Sequence, residues 1–129
     1  MPIAVLANCT PMREVEELMD IRRQLADKDV PVIACSLGEE QQLADWLGVE
    51  AYLLKPISQE TLLGTLARLE RDIQNVLIVD DDPRFVRLLT RMLQSGEQAY
   101  TVRRAYGVSE GLDRLAKEEV DLVLLDLLM

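Results

Sequence analysis

Three aspartates directly follow a short apolar run in the stretch VLIVDDDPRF, residues 76–85. A fourth, Asp126, lies within a second apolar run, DLVLLDLLM, residues 121–129. Carboxylates that meet in one cleft repel each other unless a cation compensates their charge. Mg²⁺ is the natural cation for such a site, because it is a hard ion that binds carboxylate and phosphate oxygens. A carboxylate beside such an ion can act as a nucleophile on a phosphoryl group and form an aspartyl phosphate.

A purely structural role would also account for part of the triple aspartate. Acidic residues favour the positive N-terminal end of a helix, and Asp82 followed by Pro83 is a strong helix start. This reading explains Asp82 well, but it explains Asp80 and Asp81 poorly. Taken alone, the motif therefore leaves both interpretations open.

The first part of the chain contributes a hydroxyl and a cation. The run PVIACS ends on Ser36, and the run AYLLKP carries Lys55 after its apolar residues. A lysine at the end of a strand can reach a phosphoryl oxygen as a point charge, and a serine hydroxyl can bond another. The alternatives are a solvated edge charge for Lys55 and a helix N-cap for Ser36. The functional interpretation gains weight if all these groups share one edge of a sheet.

The elements that must position these residues alternate along the chain. Most of the strand candidates are nearly continuous in apolar residues, which is typical of strands covered on both faces. They are Ile3–Ala7, Val30–Ser36, Ala51–Leu54, Val76–Val79, Tyr100–Arg104 and Leu122–Asp126.

Amphipathic stretches fill the gaps between the strand candidates. Helices are predicted from Thr10, over residues 39–47, from Ser58 with an apolar stripe that runs to Ile73, from Pro83 to Gly96, and from Ser109. The alternation predicts an α/β fold with a doubly wound parallel sheet, in which ligands bind beyond the carboxyl ends of the strands.

Composition narrows the function classes. The net charge of −9 argues against nucleic acid or an anionic membrane as a direct partner. The absence of histidine removes histidine general bases, and Cys9 and Cys35 alone make a poor zinc set. Residues 1–10 lack the pattern of a signal peptide, the apolar runs are too short to span a bilayer, and both cysteines suit a reducing compartment. We therefore expect a cytoplasmic protein.

Taken together, these motifs resemble the receiver domain of two-component response regulators. VLIVDDDPRF looks like the first receiver strand with its acidic pair, Asp80 and Asp81, and DLVLLDLL looks like the third strand. The resemblance implies a flavodoxin-like fold, with Asp126 as the phosphoacceptor and Mg²⁺ held by Asp80, Asp81 and Asp126. It also implies Ser36 as the site hydroxyl and Lys55 as the site lysine. Tyr52 matches the aromatic switch position three residues before that lysine.

The motifs stand in a permuted order. A receiver runs acid pair, phosphoacceptor, hydroxyl, lysine, whereas this chain begins with the hydroxyl and the lysine. The chain is either a circularly permuted receiver or the back of one receiver (residues 1–72) joined to the front of the next (residues 73–129). The stop at Met129 favours the second explanation, as does the similarity of IAVLANCTP to LVLLDLLM. Aligning those runs puts Ala7 at the position of Asp126, so the first receiver would lack its nucleophile.

A receiver sheet has the order 2-1-3-4-5, with the third strand at its centre. Either Ile3–Ala7 or Leu122–Asp126 could fill that central position if the chain folds on itself, and the sequence does not decide between them. The strand left over would be a spare apolar edge, which invites strand exchange between copies. We therefore expect a homodimer or a swapped assembly.

Three functions follow from these observations. In the first, Asp126 accepts a phosphoryl group from phosphohistidine on a histidine kinase or a phosphotransfer domain. In the second, the half with Ala7 is a pseudo-receiver that acts as a protein-interaction or dimerisation module. The third is a phosphatase that works through an aspartyl phosphate. The familiar dehalogenase-type pattern places a second acid two residues after the nucleophile, and Leu128 at that position argues against it.

Overall fold

This computed structural model of the protein describes residues 20, 22–24, 27–28, 30–36, 51–69, 71–96, 98 and 100–126. Residues 20, 22–24 and 27–28 are helical, and the rest of the described chain contains five strands and three further helices. The strands are β1 (Val32–Ser36), β2 (Ala51–Leu54), β3 (Asn75–Val79), β4 (Thr101–Ala105) and β5 (Leu122–Asp126). The helices are α1 (Gln59–Arg68), α2 (Pro83–Gln94) and α3 (Val108–Lys117).

The strands form one parallel sheet in the order β2-β1-β5-β3-β4. The last strand in sequence, β5, therefore lies at the centre between β1 and β3, so Leu122–Asp126 fills the central position among the described residues. The other candidate for that position, Ile3–Ala7, lies outside the described residues, as do the helix start at Thr10 and the helix at 39–47.

Helices cover both faces of the sheet. Alternate residues of each strand point to opposite faces, so each face has side chains that a helix can bury. On one face, α1 and α2 pack over a cluster of buried aliphatic side chains that includes Ile33, Ile78 and Leu124. On the other face α3 packs against β3, where a Cβ added at Gly111 would meet the side chain of Val79 at 3.0 Å. The predicted fold class, an α/β doubly wound parallel sheet, is confirmed.

The helix starts follow their predicted capping residues closely. Ser58 caps α1 by accepting a hydrogen bond from the backbone N–H of Thr61 at 3.1 Å. The Asp82 carboxylate caps α2 by accepting a hydrogen bond from the backbone N–H of Arg84 at 3.0 Å, and Pro83 is the first helical residue. The last helix starts one residue earlier than predicted, at Val108 after Gly107.

Other boundaries differ from the sequence interpretation. The apolar stripe predicted to continue to Ile73 overran the helix, since α1 ends at Arg68 with Leu69 as its C-cap. Ile73 is nevertheless buried, because its side chain belongs to the aliphatic cluster between the sheet and its helices. The strand predicted from Val30 starts at Val32, after Pro31, which has no N–H to give to a ladder. The strand predicted as Tyr100–Arg104 is shifted by one residue, to Thr101–Ala105.

Asp121 fastens the segment that leads into β3. One oxygen of its carboxylate accepts hydrogen bonds from the backbone N–H groups of Gln74 and Asn75 at 3.0 and 2.8 Å, and from the side-chain amide of Asn75 at 3.2 Å. The Asp121 N–H donates in turn to the Asn75 carbonyl at 2.8 Å. The connection between α1 and β3 is thereby fixed to the amino-terminal edge of the sheet, beside β5.

Candidate functional site

Strand register brings the acidic residues together at the carboxyl-terminal edge of the sheet. Val79 of β3 pairs with Leu125 of β5, so the next residue of each strand, Asp80 and Asp126, reaches the same level. Both carboxylates are buried, whereas Asp81 is exposed. Each of the three offers one oxygen, and these oxygens all lie within 4.8 Å of one another. The structure thus places the three predicted carboxylates in one cluster.

Lys55 reaches this cluster from the end of β2. In register, Leu53 pairs with Cys35 of β1, and Cys35 pairs with Asp126 of β5. Lys55 lies two residues beyond Leu53, so it points to the same side of the sheet. Its ammonium lies 3.3 Å from Oδ1 of Asp126 and 3.5 Å from Oδ2 of Asp80. The predicted lysine and two of the predicted acids are therefore in direct ionic contact.

The start of α2 separates the structural aspartate from the other acids. The backbone N–H of Asp82 donates to Oδ1 of Asp80 at 2.9 Å, while the Asp82 carboxylate turns to the N–H of Arg84. The hydrogen bond from Arg84 lowers the pKa of Asp82. Helix capping thus accounts for Asp82. The carboxylates of Asp80 and Asp81 take no part in this cap and lie close to Asp126 instead.

Burial makes the cluster electrostatically costly. Burial is the main cause that raises the pKa of Asp80 to about 6, and the nearby charge of Asp126 raises it further. The hydrogen bond from Asp82 and the ammonium of Lys55 oppose this rise only in part. Burial alone would lower the pKa of Lys55, but the carboxylates of Asp126 and Asp80 outweigh it and raise that pKa. The lysine is therefore a fixed cation, and it does not fully compensate the acids.

The donor set fits a divalent magnesium ion. All of its groups are carboxylate oxygens, the kind of ligand that Mg²⁺ prefers, and Asp81 leaves the cluster open towards solvent. Cys35, which lies beside Asp126 in the sheet, does not add to the set. Burial raises the pKa of its thiol to about 12, so it stays a neutral thiol.

The remaining predicted site residues are placed only through their backbone, or not at all. Ser36 ends β1, one residue after Cys35, and therefore lies at the same edge of the sheet as Asp126. Tyr52 lies in β2 and pairs in register with Ala34. The side chains of Ser36 and Tyr52 are outside the described part of the structure, as is the whole of Ala7.

One residue near the cluster was missed by the sequence interpretation. The ring centroid of Phe85, in the first turn of α2, lies 4.2 Å from the ammonium nitrogen of Lys55. The sequence held a weak signal, since an aromatic residue follows three positions after Asp82. That signal could not be interpreted without knowing that the ends of β2 and β3 converge.

Comparison with known proteins gives a match for the second part of the chain. Residues 76–129 match the family model of the response regulator receiver domain, a domain of two-component signal transduction. The matched segment contains all three clustered carboxylates and Phe85, but not Lys55. No curated protein and no solved structure gives a significant match to the chain. Among the described residues, none of the helices has the length and apolar character needed to cross a membrane.

Proposed function

We propose, from the match of residues 76–129 to the receiver-domain family, that the chain is a phosphoacceptor segment of a two-component signalling protein. Asp126 would be the phosphoacceptor, and Asp80, Asp81 and Asp126 would hold Mg²⁺. The observation that carries this proposal is the group of three carboxylate oxygens within 4.8 Å of one another, with the Lys55 ammonium 3.3 Å from Asp126. An acidic helix start alone would not need a partly buried lysine between two buried aspartates.

The proposed reaction is a simple displacement at phosphorus. One oxygen of Asp126 attacks the phosphorus atom of a phosphohistidine and forms a P–O bond, while the P–N bond breaks and the imidazole leaves with the electron pair. When bound, Mg²⁺ supplies positive charge for the oxygens of the transferred group. The Lys55 ammonium is close enough to Asp126 to contact one of those oxygens in the product. Ser36 would bond another, and Tyr52 would take part in the conformational response.

The partner must supply the donor group. The chain contains no histidine, so the phosphohistidine belongs to another domain or chain, either a histidine kinase or a phosphotransfer domain. The net charge of −9 disfavours direct contact with nucleic acid or an anionic membrane. A cytoplasmic location suits this kind of partner.

We also propose that residues 1–72 derive from a first, degenerate receiver with Ala7 at the acceptor position, and residues 73–129 from a second. The strand order fits a receiver origin for both parts, because β1 and β2 stand beside β5 where the back of a receiver would stand. Both Ile3–Ala7 and Leu122–Asp126 would then suit the central position of a receiver sheet, which favours a homodimer formed by strand exchange. Light scattering that shows only monomer at high protein concentration would contradict the dimer.

Phosphorylation by a small-molecule donor tests the proposed function. The protein is incubated with acetyl phosphate and Mg²⁺, and intact-mass spectrometry should detect the addition of one phosphoryl group. Asp126→Asn should abolish the addition, while the exposed helix variant Asp113→Asn should keep it. Beryllofluoride with Mg²⁺ should also change the fluorescence of Trp46, the one tryptophan of the sequence. No mass increase and no response to beryllofluoride would reject the proposal in favour of an interaction module.

A further inference from the structure

Phe85 is held in place by the start of α2 and by the aliphatic core. It is the third residue of α2, whose start is fixed by the Asp82 cap and by Pro83. The side chain is half-buried and packs against the aliphatic cluster between α2 and the sheet. Its ring is therefore anchored by the core, and one of its contacts is the Lys55 ammonium, 4.2 Å from the ring centroid.

Lys55 needs such a fixed contact more than most lysines do. Its four-carbon stem is flexible, and its ammonium is drawn towards two carboxylates at 3.3 and 3.5 Å. Only 20% of its side chain is exposed, so water does little to hold it. An ammonium on the face of an aromatic ring is attracted by the ring quadrupole, and the attraction is stronger where water is excluded.

We propose that Phe85 is a positioning residue for Lys55, whose ring face holds the ammonium between Asp80 and Asp126 on the side of the cleft next to α2. The inference rests on the proposed phosphoacceptor function, because the position matters through the contact of Lys55 with the transferred group. The contact also joins the end of β2 to the start of α2. It therefore links the two parts of the chain that together form the cleft.

The contact between Lys55 and Phe85 can be tested without any measurement of function. Methylene protons near an aromatic ring face are shifted upfield, so the Hε resonances of Lys55 should lie upfield of those of exposed lysines such as Lys117. The shift should disappear in Phe85→Leu and persist in Phe85→Tyr. Hε resonances of Lys55 at ordinary positions in the unaltered protein would overturn the proposal.

The functional effect is tested by beryllofluoride binding in the presence of Mg²⁺. Phe85→Leu should weaken that binding by about threefold to tenfold, in proportion to the loss of one ammonium–ring contact. Phe85→Tyr, which keeps the ring face, should bind beryllofluoride with an affinity within about twofold of that of the unaltered protein. Amide spectra of each variant verify that the fold is kept.

A double-variant comparison separates positioning from packing. In a Lys55→Met background, Phe85→Leu should have no further effect on beryllofluoride binding, since the ring then has no ammonium to hold. An equal loss in both backgrounds would show that Phe85 acts only through packing, and no loss in either would overturn the proposal as well. If the unaltered protein binds no beryllofluoride, the proposed function fails, while the Lys55 Hε shift still decides the contact with Phe85.

Discussion

Two aspartates at opposite edges of the same sheet have opposite surroundings. Asp80 follows β3 at the carboxyl-terminal edge, where burial and the charge of Asp126 raise its pKa to about 6. Asp121 precedes β5 at the amino-terminal edge. There, hydrogen bonds from Asn75 and Gln74 lower its pKa. Hydrogen bonds therefore satisfy the carboxylate of Asp121, which fixes the chain at one edge. The charge of Asp80, which faces the cleft at the other edge, is only partly compensated.

The difference separates a structural role from a chemical one. A carboxylate with several N–H donors gains stability from its charge, and a cation has little to add there. A buried carboxylate beside another one gains from any cation that enters. The three experiments that follow are expected to separate the two edges, beginning with the largest effect.

Removal of the charge at Asp80 should weaken the affinity for Mg²⁺ on the order of 100-fold, because one direct oxygen ligand loses its charge. The same variant, Asp80→Asn, should raise the free energy of unfolding in the absence of metal by about 1 kcal/mol, since a costly buried charge is removed. Calorimetric Mg²⁺ titration and urea unfolding measure the two effects. A variant that loses both metal affinity and stability would show that Asp80 also serves the fold.

The affinity for Mg²⁺ should fall about tenfold per pH unit as pH drops below about 6, because protonation of Asp80 competes with the ion. Stability without metal should show two opposite trends. The raised pKa of Asp80 gives stability at low pH that is lost as pH rises from about 4 through about 6.

The lowered pKa of Asp121 gives stability that is present above about pH 4 and is lost as pH falls through its lowered value. Mg²⁺ titrations and urea unfolding over this pH range test both trends. In Asp80→Asn the steep dependence of Mg²⁺ affinity near pH 6 should vanish; its persistence would assign the titration to another group of the cluster.

Asp121→Asn should lower the free energy of unfolding by about 1 kcal/mol, because a neutral amide oxygen is a weaker acceptor for the N–H groups of Gln74 and Asn75. Its affinity for Mg²⁺ should stay unchanged. Asp113→Asn is the matched control, since its exposed ion pair with Lys117 contributes little. Metal affinity that falls with Asp121→Asn would mean that the two edges are coupled.

The sequence predicted helices and strands well wherever they depend on residues that are neighbours in the chain. Strands such as Leu122–Asp126 are recognisable from unbroken apolar runs, and the start of α2 from Asp82 and Pro83. The sequence could not decide the occupant of the central position, since Ile3–Ala7 and Leu122–Asp126 are both short apolar strands. That choice depends on tertiary pairing, and β5 pairs with both β1 and β3.

The site was predictable as a set of residue types, but its details were not. Asp80, Asp81, Asp126 and Lys55 follow from the rule that ligands bind at the carboxyl ends of parallel strands. The roles of Phe85 and Asp121 depend on contacts between segments far apart in sequence, which no periodicity reveals. The end of α1 at Arg68 was missed for a related reason, because Ile73 is buried by the sheet and not by a helical stripe.

The central position of β5 has a consequence for how the chain acquires its structure. Among the described strands, the β1–β2 pair and the β3–β4 pair share no ladder, and β5 joins them. The ribosome releases β5 after the other four strands, so no other described strand can join the two pairs before β5 arrives. Assembly of the described sheet, and with it of the cleft, therefore requires β5 to pair on both of its sides, and we expect that step to limit folding.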